Sequence, residues 1–173
     1  MNDVRPGDTR EALASFHALP GDEAERELLA CCASPVWAAA LAAGRPYPGL
    51  DAVLSASDAA LAALGWAEIE KALSAHPRIG ERATGAGREA AWSAREQSAA
   101  SADATARAEL AEANAAYERV FDRVFLICAN GLPAAEILTR LRARLGNDER
   151  TERAVVREEL RAIVRLRLER WLS

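Results

Sequence analysis

Two short runs carry the residue types that proton-transfer chemistry needs. The first is His76-Pro77-Arg78-Ile79-Gly80-Glu81, and the second, after a glycine-containing polar stretch, is Ser93-Ala94-Arg95-Glu96-Gln97. The chain has only two histidines, and this one stands directly before a proline. Proline drives its predecessor out of the helical region, so His76 is expected where a helix stops and a loop begins. An imidazole there, with a carboxylate and an amide returned beside it by the loop, is suited to acid–base work near neutral pH. A plainer reading stands beside it: a cation at a helix C-terminus complements the helix dipole. Ser93-x-x-Glu96 likewise has two readings. As a capping box it needs no function at all, and taken alone that explanation is the better one. As a helix N-terminus it also presents free N–H groups suited to an anion. Gln97 brings one donor and one acceptor to the same place, or faces solvent.

The C-terminal helix supplies a charge that breaks its own pattern. At about 100° per residue, Val156, Leu160, Ile163, Val164, Leu168 and Trp171 share one apolar arc. Arg167 falls in the middle of that arc, while Arg161, Arg165 and the glutamates fall elsewhere. A guanidinium aimed at a core requires a partner or a route to water. Three readings stay open: a snorkelling arginine, one paired with a structural carboxylate, and one lining a pocket where its planar fork takes a substrate carboxylate. The apolar run Val124-Phe125-Leu126-Ile127-Cys128 is either buried helix or buried extended chain, and Asn130-Gly131 then marks a turn. His17 has no charged neighbour in sequence and reads as structural. Trp37, Trp66 and Trp92 read as packing residues, with Trp92 also placed to wall a pocket beside Ser93.

The elements that must position these residues are helical. Roughly a quarter of the 173 residues are alanine, only 5% are aromatic, and β-branched residues are sparse. An all-α single domain over 1–173, of eight or nine helices with irregular loops, follows. Helices are expected from Asp8 to near Pro20 and from about Asp22 through Cys31-Cys32. Ser34-Pro35 should start the next, with serine as cap and proline at the first helical position, and Gly44 should end it. Arg45-Pro46-Tyr47-Pro48-Gly49 reads as loop. Short helices follow at Leu50–Ser55 and Ser57–Leu64, then Trp66–Ala75. Arg78–Arg88 should be irregular, with helix resuming near Ser93. Asp103 is placed to cap a helix to about Phe121, Leu132-Pro133 to open one ending at Gly146, and Asn147 or Asp148 to cap the last, to Trp171.

Composition also limits the partners. A net charge of −4 and a pI near 5.4 argue against nucleic acid, which needs a basic surface. No stretch approaches the roughly 18 apolar residues of a membrane span, and the polar N-terminus does not resemble a signal peptide. Three cysteines make no disulfide framework, and two distant histidines give no metal-ligand spacing. The expectation is a cytoplasmic protein without metal.

The two motifs, in this order and at this spacing, resemble the OHCU decarboxylases of urate degradation, where OHCU is 2-oxo-4-hydroxy-4-carboxy-5-ureidoimidazoline. The likeness extends to Ser34-Pro35-Val36-Trp37, Arg45-Pro46-Tyr47, the stretch from Tyr117 to Cys128, Leu145-Gly146-Asn147-Asp148 and Leu166-Arg167-Leu168. It departs where many members carry F-G-F-P-F and this chain has Phe121-Asp122-Arg123-Val124-Phe125. The resemblance implies an all-helical carboxy-lyase that needs no cofactor and converts an anionic ureidoimidazoline to S-allantoin. It places the catalytic histidine on His76, the glutamate on Glu96 and the arginine on Arg167. Pro77, Ser93, Arg95, Gln97 and the segment Phe125, Leu126, Ile127, Cys128 and Ala129 fall on substrate-binding positions. A homodimer is the preferred assembly. The competing reading is a helical interaction module in which His76 and Ser93 only cap helices. Arg167 separates the two, since a module needs a protein partner or a structural carboxylate for it, whereas the enzyme needs it in a pocket shared with His76 and Glu96.

Overall fold

A computed structural model describes residues 6–79, 88–96 and 104–173, and among them are nine α-helices and no strand. In chain order these are α1 (Pro6–Ala18), α2 (Gly21–Leu29), α3 (Pro35–Ala43), α4 (Leu50–Ala63), α5 (Trp66–Ser74), α6 (Arg88–Glu96), α7 (Ala104–Phe121), α8 (Ala134–Arg144) and α9 (Glu149–Trp171). The chain divides into two compact units, one comprising the chain up to Ile69 with Arg161–Ser173, the other Glu70–Leu160.

In the first unit α2 packs on α3 and α3 on α4. Ser34 caps α3 as expected, its hydroxyl accepting from the Trp37 amide at 3.3 Å, with Pro35 in the first turn. Trp37 is fully buried and its indole N–H donates to Ser57 of α4 at 3.2 Å. Two expectations fail here. The helices placed at Leu50–Ser55 and Ser57–Leu64 are a single helix, because only Ala56, the best helix former, stands between them. α2 ends at Leu29, so Cys31 and Cys32 form the turn that lets Ser34 leave the helical region and cap α3. Burial pushes the Cys32 thiol up to about 12, which leaves it inert.

The loop after α3 is tied down by Arg45. Its guanidinium donates to the carbonyls of Ala42, Phe16 and Leu19 at 2.7–2.9 Å and lies over the Phe16 ring. His17 completes this anchor, with Nε2 accepting from the Tyr47 amide at 3.1 Å. That bond requires a neutral imidazole, and burial and the Arg45 charge both hold its pKa below the usual value. The structural reading of His17 stands.

In the second unit α7 packs against α8 around Leu110, Tyr117, Phe125, Ile127, Ile137 and Leu141. Asp148 caps α9 by accepting from the Thr151 amide at 2.7 Å. The α9 arc is buried as its periodicity demands at Val156, Leu160, Ile163, Val164 and Leu168.

Candidate active site

α5 ends at Ser74, and His76 follows it into the space that Pro77 forces open. Its amide donates to the Leu73 carbonyl and its Nδ1 lies 2.9 Å from the Ala72 carbonyl oxygen. A carbonyl only accepts, so Nδ1 carries the proton and the neutral ring keeps its basic lone pair on Nε2. His76 is therefore a helix cap and a potential base at once, and only 8% of its surface is exposed. The chain beyond it is fastened to α7. Arg78 makes a two-pronged ion pair with Glu118, at 2.5 and 2.9 Å, and the Asn114 amide donates to the Ile79 carbonyl at 2.9 Å. The Arg78 bond holds the Glu118 carboxyl below the usual range.

The segment after α7 is held within the same unit. Asp122 adopts a left-handed conformation, φ 52°, and its amide donates to Glu118, ending the helix. The resemblance places a glycine here, and Asp122 takes a conformation that glycine adopts without steric cost. Phe125, Leu126, Ile127 and Ala129 are buried and Cys128 is half-buried, all in non-helical chain. Arg144 donates to the Leu126 carbonyl at 2.8 Å, and the Cys128 amide donates to Glu159 at 2.8 Å. The turn that follows has Leu132 donating to Ala129, with Gly131 at φ 76° as a type II turn requires.

Behind this segment lies a polar cluster that periodicity alone does not announce. Glu152 is fully buried and accepts from the Tyr117 hydroxyl, from two nitrogens of Arg144 and from Asn147, at 2.5–2.9 Å. The Arg144 guanidinium also lies 4.5 Å over the Phe125 ring. Burial, then the bond to Glu152, push the Tyr117 phenol well up. The missed signal is the one that marked Arg167. Arg144 continues the buried face Ile137, Leu138, Leu141 of α8, and Glu152 stands one turn before Val156 on the buried arc of α9.

α6 corrects a third expectation. It begins at Arg88, so Ser93 lies inside the helix and is not its cap, and no free helix-terminal amides lie at Ser93. Arg88-Glu89-Ala90-Ala91 contains no breaker and favours helix throughout, which extends the element past the apparent capping box. Ser93 is buried, Arg95 is exposed, and Arg88 stacks over Trp92. The Glu96 side chain and Gln97 lie outside the described residues.

Arg167 belongs to the first unit, with 1% of its surface exposed. That burial excludes snorkelling. Its Nη1 approaches the Cys31 carbonyl at 3.4 Å, and its charge acts on the Cys32 thiol. Arg161 and Arg165 turn instead to Asp58, at 3.4 and 2.8 Å.

The family model for OHCU decarboxylase matches residues 17–169, and the chain belongs to that family. Among its relatives is the uric acid degradation bifunctional protein TTL of Arabidopsis thaliana, 33% identical over 86% of this chain. The match spans only 47% of that plant protein's length. Another is the 2-oxo-4-hydroxy-4-carboxy-5-ureidoimidazoline decarboxylase of Amia calva, 35% identical over 78% of this chain and 79% of the relative. A crystal structure of an OHCU decarboxylase in the presence of (S)-allantoin superposes with a TM-score of 0.73, at 28% identity, over 83% of this chain and 95% of that one. An (S)-allantoin synthase structure, 17% identical with a TM-score of 0.69 over 92% of this chain and 53% of its own, shares the fold.

Proposed function

We propose that this chain decarboxylates OHCU to S-allantoin with His76 as its acid–base group. The observation that carries the reading is the buried His76 imidazole, whose Nδ1 lies 2.9 Å from the Ala72 carbonyl oxygen; we assign proton exchange to its other nitrogen, Nε2. The substrate's carboxylate sits on a ring carbon next to a C=N bond. Loss of CO₂ sends the bonding electrons into that imine, as in decarboxylation of a β-keto acid, so the substrate is its own electron sink. The former imine nitrogen, left with the electron pair, takes a proton from solvent; the resulting enol must then lose its hydroxyl proton and gain one at carbon, on a single face. Those are the two proton movements an imidazole can serve. Glu96 is assigned, on the resemblance, to orient His76 or to share its proton transfer. Arg167 is assigned to the anionic substrate on the resemblance and on its burial. Ser93, Pro77, Arg95, Gln97 and residues 125–129 are assigned to substrate contact on the resemblance alone. Holding a reactive substrate in one orientation turns a slow spontaneous reaction into a fast stereospecific one.

The test follows freshly generated OHCU by NMR and circular dichroism with and without the protein, before and after EDTA. The expected result is accelerated S-allantoin formation that survives the chelator. Racemic product at the spontaneous rate would overturn the proposal.

A further inference from the structure

We infer that Asn114 and Glu118 of α7 are positioning residues for His76, acting through the Arg78–Ile79 strap. The inference rests on the reading of His76 as the acid–base group.

His76 has left α5, and nothing helical fixes the chain from Pro77 to Ile79. Pro77 has no N–H to tie down. Two residues further on, the strap meets α7 at two adjacent points. Asn114 and Glu118 are four residues apart and so lie one above the other on a single helix face. One donates to the Ile79 carbonyl, and the other takes two nitrogens of Arg78. Packing seats the Ile79 side chain, which is buried in the core around α7 with Leu110, Ala113 and Tyr117, but beside it the space is not filled. A cavity of about 230 Å³ is lined by Arg78 and Ile79 and by Ala111, Asn114, Ala115 and Glu118 of α7. Beside that opening, the polar bonds fix the Arg78 side chain and the Ile79 carbonyl to α7. Asn114 carries a further mark of this role. It is buried, with 3% of its surface exposed, and its Oδ1 has no hydrogen-bond partner among the described residues. A core position with one unsatisfied acceptor costs stability, and the residue's single described bond is the one to the strap. Aspartate has the same shape but cannot donate to a carbonyl.

The experiment uses Asn114→Asp and Glu118→Gln in the whole protein, with His76→Asn as reference. Because the chain has two histidines, the long-range ¹H–¹⁵N imidazole spectrum of His17→Gln reports His76 alone. The starting protein should show the Nδ1–H tautomer. Each strap variant should shift that spectrum toward mixed tautomers and lower kcat by about 10- to 100-fold, as misplacement of a catalytic group does, while KM changes less than about threefold. Either variant, folded, with a wild-type spectrum and wild-type kcat overturns the inference. Glu118→Gln serves if Asn114→Asp fails to fold, since its ion pair is partly exposed. Full activity in His76→Asn would instead remove the reading beneath, and the spectra would then judge the positioning alone.

Discussion

At the scale of single residues, the proposed role of His76 sits beside a structural one. The cap and the proposed base are one side chain, because Nδ1 faces the Ala72 carbonyl and the proposal assigns proton exchange to the other nitrogen. The cap is worth about 1 kcal/mol as an ordinary hydrogen bond, whereas general acid–base catalysis contributes roughly 10²- to 10⁴-fold. His76→Asn should therefore lower the melting temperature by only a few degrees and the rate of S-allantoin formation by at least two orders of magnitude. Normal rate in a normally folded variant would reduce His76 to a cap. His17→Asn should leave the rate unaltered, since its bond is to the Tyr47 amide in a loop anchor. Asp122 offers a test of backbone rather than side chain. A left-handed conformation costs a non-glycine residue about 1–2 kcal/mol, of which glycine's extra unfolded-state freedom returns roughly 0.5–1 kcal/mol. Asp122→Gly should be neutral to stabilising by up to about 1 kcal/mol in urea unfolding. A clear loss would mean that the Asp122 side chain holds something.

At the scale of elements, what was legible depended on how far the deciding contact lay along the chain. Ser34 and Asp148 could be read as caps because each bonds an amide three residues on. Ser93-x-x-Glu96 has the same spelling and misleads, since four good helix formers precede it and the helix had already begun. Pro77 announced the end of α5, but the fastening of Arg78 and Ile79 to α7 spans 35 to 40 residues and has no local signature. The Glu152 cluster joins α7, α8 and α9 and was equally silent, although Arg144 broke the apolar face of α8 as visibly as Arg167 broke that of α9. Removing one member of a buried ion pair leaves the other charge unmatched, at roughly 3–5 kcal/mol. Glu152→Ala should accordingly be among the most destabilising single changes, lowering the melting temperature by about 10 °C in a chain of this size. It should also disturb the 125–129 segment, because Arg144 holds Leu126 from the same cluster. A melting temperature within two degrees or so of wild type would show that Arg144 finds another partner.

At the scale of the whole molecule, the ionisable anchors of the two units lose their effect in different pH windows. His17 has its folded pKa held below the unfolded value of 6.5, so the neutral form is favoured in the fold. Its contribution is fully present above pH 6.5 and is lost as pH falls from there toward the folded value. Glu149, bonded first by Arg123 and also by Arg153, has its carboxyl held down to about 2 against 4.5 unfolded. Its contribution is present above pH 4.5 and is lost only as pH falls toward about 2. Glu118 shifts in the same direction through Arg78. The first window therefore reports the loop anchor of the unit containing α1 to α4, and the second the ion pairs of the unit containing α7 and α8. Thermal unfolding between pH 8 and pH 2 should show two separate declines in stability. His17→Gln keeps an acceptor that does not titrate and should flatten the upper decline, leaving the lower one in place. Glu149→Gln should lower stability at neutral pH and flatten the lower decline. If His17→Gln left the slope between pH 6.5 and 5 unchanged, the Tyr47 bond to a neutral imidazole would not be what the loop depends on.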